Sequence, residues 1–172
     1  MAQSSPWDAL TQAHSEKVVA AVAEVLRADG TLAALFGAGT GGIIISPDPL
    51  LHLDLPAPCL VVSPLAQSSE MRTGGELRKT ITIRIFVLYQ ELRRAIDTDD
   101  KTVKALLEVI EAALFNNYTL RVAAFSMANL VTRIDSIQAL DFGAIGEGAN
   151  IKRIQTLQVD YWYTLKAATG QP

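Results

Sequence analysis

The sequence predicts an α+β fold: a single domain in which a mixed, mostly antiparallel β-sheet carries two main helices on one face. Three observations lead there. The stretch Leu77 to Tyr89, LRKTITIRIFVLY, runs for thirteen residues without glycine or proline. Within it Ile81, Ile83, Ile85, Val87 and Tyr89 fall on one side, while Arg78, Thr80, Thr82 and Arg84 begin the other, the period-two signature of a half-buried strand. A second such run, Arg153 to Leu165, sets Leu157, Val159, Tyr161, Tyr163 and Leu165 against Thr156, Gln158, Asp160 and Thr164, with Trp162 breaking the polar side. The third observation is order: strands follow one another in hairpin succession with one helix between them, which favours an antiparallel or mixed sheet covered on one side.

Taken along the chain, residues 5–28 read as the first helix. Ser5-Pro6-Trp7-Asp8 offers an N-cap, a proline at the first helical position and an acidic residue able to reach back, as in a capping box. Leu10, Val18, Val22, Val25 and Leu26 recur at helical spacing, and Asp29-Gly30 is read as the stop, with glycine free to take the left-handed conformation past the helix end. A short helix over residues 31–36 and a flexible turn, Gly37 to Gly42, follow. A phosphate-binding loop would need a lysine and a strand-loop-helix context that this turn lacks.

Ile43 to Ser46 and Cys59 to Ser63 read as short strands, the second stopped by Pro64, and residues 66–76 as a polar loop leading into the long strand. Asp97-Thr98-Asp99-Asp100 is suited to cap a helix and complement its dipole. Val103, Leu106, Leu107, Ile110 and Leu114 then form an apolar stripe that must pack on something, and Asn116-Asn117 closes it. Leu120 to Val122 and Asn129 to Ile137 read as strands. DFGAIGEGAN, Asp141 to Asn150, with three glycines, reads as a loop or hairpin tip. Residues 166–172 read as a frayed tail.

Composition narrows the function classes. With 172 residues, about half of them hydrophobic and fewer charged than usual, the chain suits one domain with a sizeable core. A net charge of −3 does not suit a general nucleic-acid binder, which is normally basic. The lone cysteine, Cys59, lies within CLVV and reads as a buried, inert thiol in a reducing compartment. No apolar run approaches the roughly 18 residues of a membrane span, and the first residues lack a secretory pattern, so a soluble protein made in the cytosol is expected.

No chemistry-bearing constellation emerges. The sequence holds no GxSxG, HExxH, CxxC or phosphate-loop pattern. His14 and His52 stand apart from any second ligand type at metal-binding spacing and read as exposed helix and loop residues. The DTDD run is oxygen-rich enough to suggest a cation, but helix capping accounts for the same residues. No catalytic residue, cofactor or metal is therefore assigned, and the chain is read as a structural protein, not an enzyme.

The order of elements resembles a known family. A helix VVAAVAEVLRADGTLAALFG leads to a short strand and a proline-flanked PAPCLVV strand, followed by a loop ending TGGELRKTITIRIFV and a helix DKTVKALLEVIEAAL. Together these resemble the tail terminator, or tail-completion, proteins of long-tailed bacteriophages over roughly residues 16 to 115. The segments LVTRIDSIQAL and RIQTLQVDYWYTL fit that fold's remaining strands. The resemblance implies a small subunit of a hexameric ring, located in the virion at the neck end of the tail. Such a ring caps the tail tube, stops its polymerisation and offers the surface that the head or neck joins. The implied partners are further copies of the chain, the tail tube protein, a neck or head-completion protein and, in a contractile tail, the sheath. DNA would pass through the ring without sequence-specific binding, and no membrane is involved.

If a ring forms, alternation makes Arg84, Phe86, Asp160 and Trp162 the candidate subunit interface, with loops 66–76 and 138–150 beside them. Two other classes stay open: a different head-tail connector or neck subunit, and a small ligand-binding domain or enzyme built on the Gly37–Gly42 or Asp141–Asn150 loop.

Overall fold

A computed structural model of the chain describes residues 13–37, 42–47, 58–72, 76–90, 96–145 and 152–166. Three helices, α1 (His14–Ala28), α2 (Gly30–Phe36) and α3 (Ile96–Asn116), accompany five strands, β1 (Ile43–Ile45), β2 (Cys59–Arg72), β3 (Glu76–Gln90), β4 (Arg133–Ile145) and β5 (Lys152–Lys166). The sheet order is β1-β2-β3-β5-β4. β1 lies parallel to β2 and all other neighbours are antiparallel, so the sheet is mixed, as alternation and order predicted. The long strand is its middle member, paired with β5 without interruption from Glu76↔Lys166 to Gln90↔Lys152.

Alternation explains the core. Ile81, Ile83, Ile85 and Val87 of β3 and Leu157, Val159, Tyr161 and Tyr163 of β5 share one cluster with the buried stripes of the helices. In α1 that stripe is broad: Val18, Val19, Ala21, Val22, Ala23, Val25 and Leu26 are all buried. Arg27 secures the end of α1, its Nη1 on Glu24 at 2.7 Å and its Nη2 donating to the Ile43 carbonyl at 2.6 Å.

At the other end of α1 the structure corrects the reading of His14. Far from being an exposed helix residue, it is half-buried, its Nε2 2.7 Å from the Leu130 carbonyl and its ring 4.2 Å from that of Tyr163. The Ser5 capping box and His52 lie outside the described residues.

Several boundaries differ from expectation for identifiable reasons. Asp29 does not simply end α1: it caps α2, its carboxylate accepting from the Thr31 and Leu32 N–H groups, both at 3.0 Å, and Gly30 is the first residue of α2. The glycine with positive φ is Gly37, at +83° after α2. At Gly42 a side chain is excluded, because an added Cβ would sit 1.6 Å from the Phe36 carbonyl oxygen. Asp97–Asp100 lie within the first turn of α3, not ahead of it.

Leu120–Val122 is not a strand. Leu120 takes φ +52° and buries its side chain completely, and a single 3₁₀ turn, Ala123–Phe125, follows. A left-handed leucine is unfavourable by order 1 kcal/mol, which burial of its side chain offsets at about 2 kcal/mol.

Two longer departures concern loops that turn out to be strand. Pro64 does not stop β2, which continues to Arg72 with a register shift between Pro64 and Ala66. β1 runs only to Ile45, opposite Val62, so among the described residues β2 is an edge beyond Ser63, where a missing N–H costs no ladder bond and a bulge absorbs the extra residue. Likewise β4 passes through Gln138–Ile145, with shifts between Ile134 and Ser136 and between Asp141 and Gly143. The glycine there marks a bulge and not a turn. Lys166 is still paired; the rest of the expected tail lies outside the described residues.

Tyr161 supplies a test of the core. It is fully buried and, among the described residues, its hydroxyl has no partner; burial raises its pKa far above the ordinary value of 10. Above pH 10 the unfolded chain loses this proton while the folded chain keeps it, so stability falls as pH rises. The expected slope is about 1.4 kcal/mol per pH unit from this residue. Tyr161→Phe should be neutral or slightly stabilising at pH 7 and should flatten the alkaline loss measured by urea unfolding between pH 9 and 11. An unchanged slope would contradict this.

Candidate assembly surface

The helices cover one side of the sheet, and the other side divides into two zones. At one end Cys59, Val61, Phe86, Leu88 and Ile154 form a second small core, with half-buried Ile44 against it. Phe86 is only 4% exposed. Alternation makes it a candidate for the subunit interface, and the structure instead buries it inside the subunit beside Val61, its register partner. Cys59 is buried in the same cluster.

Toward the other end the side is polar and tightly cross-linked. Asp160 spans three strands, its Oδ1 accepting from Thr82 Oγ1 at 2.6 Å and its Oδ2 from Ser136 Oγ at 2.7 Å. Two registers further along β5, Trp162 lies opposite Thr80 and Arg133. The Arg78 guanidinium sits 4.6 Å and that of Arg133 5.5 Å from the Trp162 ring, within the range of cation–π attraction. Arg78 also donates to Asp135 at 3.1 Å, fixing its orientation across β5 to the edge strand.

Not every donor there is satisfied. Among the described residues, Arg78 Nε, Arg84 Nε, Thr156 Oγ1 and Trp162 Nε1 are buried without a hydrogen-bond partner. Buried donors in folded proteins normally have partners, so this row is free to donate to carbonyl, carboxylate or water oxygens. Of the four candidates read from alternation, Arg84, Asp160 and Trp162 therefore share one polar zone, and Phe86 adjoins it from below. Arg133 and Asp135, which complete the setting of Trp162, escaped the sequence reading. The bulge between Ile134 and Ser136 shifts the phase of β4, so simple alternation could not place them.

The β2–β3 hairpin adds a second kind of surface. Cys59 to Ser63 are buried, whereas every residue from Pro64 to Arg72 is exposed. Exposure on both sides of the strand continues through those nine residues, and Leu65 and Met71 are exposed apolar groups within them. Two further features lie on the helix side. An open depression of mixed polarity, about 470 Å³, lies where the ends of α1 and α3 meet the 3₁₀ turn. An apolar groove of about 370 Å³ lies between α1, the end of β1 and Pro64. Among the described residues no group of three His, Cys, Asp or Glu side chains could hold a metal, and no helix is long and apolar enough to cross a membrane.

No protein-family model matches the chain, and no curated protein sequence matches it. Among solved structures it is similar to a chain in the virion of a native gene transfer agent particle, with 22% identity over 88% of this chain and 98% of that one and a TM-score of 0.49.

Proposed function

We propose that this chain is a structural subunit of a tailed, phage-like particle, and specifically a ring-forming tail terminator. One observation carries the assembly half of this reading. The β2–β3 arm extends an ordered strand through nine residues that are each exposed in the subunit. Ordering a residue costs roughly 1–2 kcal/mol and a lone two-stranded hairpin is marginal in water, so such an arm makes sense when a neighbour completes it. The terminator half rests on the sequence resemblance set out above, in the order helix, short strand, proline-flanked strand, long strand, helix.

In this reading copies meet head to tail and close a hexameric ring. The polar zone around Arg84, Asp160 and Trp162 and the exposed arm supply the contacts, and Phe86 stiffens the strand beneath. The finished ring blocks further tube growth and presents a fresh surface for a neck or head-completion protein, and for sheath where the tail contracts. DNA passes through the ring without base-specific contacts, two of the arginines on the open side being paired within the subunit, Arg78 with Asp135 and Arg72 with Glu70.

Deleting the gene tests the assignment: particles lacking the protein should carry overlong tails. Tails of normal length with unjoined heads would instead make it a neck subunit. A narrower test concerns Trp162. Trp162→Ala removes the ring between Arg78 and Arg133 and should weaken ring formation at least tenfold in concentration while leaving the circular dichroism spectrum unchanged. Ring formation at the wild-type concentration would remove Trp162 from the interface.

A further inference from the structure

We infer that the free edge of β2 pairs, antiparallel, with the β4 edge of a second copy of this chain, joining neighbouring sheets into one. The inference rests on the ring reading only in requiring that the chain assembles with itself, and it names the strands that do so. Among the described residues, β2 beyond Ser63 has β3 as its single strand partner, and β4 has β5 alone. Among the described residues, each sheet therefore ends in a row of main-chain N–H and C=O groups without a strand partner. Of the protections that edges usually carry, both edges show bulges, at Pro64/Ala66 in β2 and at Ile134/Ser136 and Asp141/Gly143 in β4, but residues 67–72, QSSEMR, pair with β3 in unbroken register and contain neither lysine nor proline, Glu70 and Arg72 being their charges.

Three features select β4 of another copy as the occupant. The first is direction. β2, β3, β5 and β4 run alternately up and down, because each adjoining pair is antiparallel. An even number of alternating strands means that a copy placed head to tail sets its β4 antiparallel to β2, the more stable pairing. The second is length: β4 has 13 residues, enough to cover the free run of β2 from Ser63 to Arg72.

The third is the groove at the point where β1 gives out. β1's ladder ends with Ser46 N–H on the Val62 carbonyl and Ser63 Oγ on the Pro47 carbonyl. Just beyond, Val19, Ala20, Ile45, Pro47 and Pro64 line an apolar groove of about 370 Å³. An antiparallel β4 delivers its last residues to this end of β2. A two-fold pairing of β2 with β2 would also be antiparallel, but it would leave both the groove and the β4 edge unmatched.

Cysteine cross-linking separates these arrangements. Ser68 and Gln138 are both exposed, and each lies on the same side of the sheet as Asp160, since Ser68 pairs with Thr80, opposite Trp162, and Gln138 pairs with Gln158. The full-length chain carrying Ser68→Cys, the chain carrying Gln138→Cys, and an equimolar mixture are treated with a short bis-maleimide. Buried Cys59 leaves the wild-type chain as an unreactive control, and circular dichroism verifies that both variants fold. The expected result is a covalent dimer in the mixture at least fivefold above either variant alone, and a ladder of multimers from the double variant. A Ser68→Cys dimer as strong as the mixed one would overturn the pairing in favour of arm-to-arm contact. Rings in native mass spectrometry without cross-linked product would also overturn it while leaving the terminator reading intact.

Discussion

Replacing Ile83 with alanine is expected to remove about 3–4 kcal/mol of folding stability, read as a drop in the urea midpoint with little change in slope. Ile83 is fully buried at the middle of the central strand, between Pro64 on β2 and Val159 on β5. Truncation there loses the transfer free energy of three carbons and leaves a cavity that two flanking strands and the helices above cannot readily close. Against a total of roughly 5–15 kcal/mol for a domain, such a loss is large. Ile83→Val, which removes one methylene, should cost about 1 kcal/mol. If the alanine variant lost less than 1 kcal/mol, β3 would not be the spine of the core.

Asp160→Ala should cost about 2–3 kcal/mol, although Asp160 lies on the side of the sheet away from the helices. Its carboxylate receives hydroxyl donors from Thr82 and Ser136, and hydrogen bonds to a charged acceptor are worth about 1.5–3 kcal/mol each before water partly replaces them. The bridge also fixes β4, whose register shifts at Ile134/Ser136 immediately beside it. Hydrogen exchange should therefore speed up first in β4, with β2 and β3 less affected. Asp160→Asn keeps two acceptor lone pairs at one of the two positions and should recover about half of the loss. Uniform destabilisation with no preference for β4 would count against the bridging role.

The parts of the fold that were legible in the sequence are those where one rule dominates. β3 and β5 bury one side under helices, so alternation marked them to within a residue or two, and the stripe of α3 marked its packing face in the same way. Boundaries were misread wherever an edge relaxed the usual penalties. Pro64 stops a central strand but not one whose outer neighbour has already ended, and Gly143 reads as a turn until the register shows it at a bulge. His14 was indistinguishable from a surface histidine, because its partners, the Leu130 carbonyl and the Tyr163 ring, are more than a hundred residues away in sequence. Phe86 reads as an interface candidate because alternation anticipates only a helix-facing core. The second cluster with Cys59, Val61, Leu88 and Ile154 requires strand pairing that no local pattern reveals.

For the candidate surface the same division holds. Arg84, Asp160 and Trp162 were placed together by counting in twos, whereas the cation–π setting of Trp162 depends on Arg133 and on a bulge. The exposed arm was hidden for a different reason. Its residues, Gln67-Ser68-Ser69-Glu70, have the composition of a loop and are held extended by pairing with β3, a tertiary effect that outweighs their local preference.

The central claim is that the chain closes into a ring, and native mass spectrometry of the purified protein, alone and mixed with tail-tube ends, tests it most directly. The account predicts a single closed oligomer, six copies in the terminator reading, present in the free protein or appearing when tube ends are supplied. A spectrum showing only monomer under both conditions would contradict it.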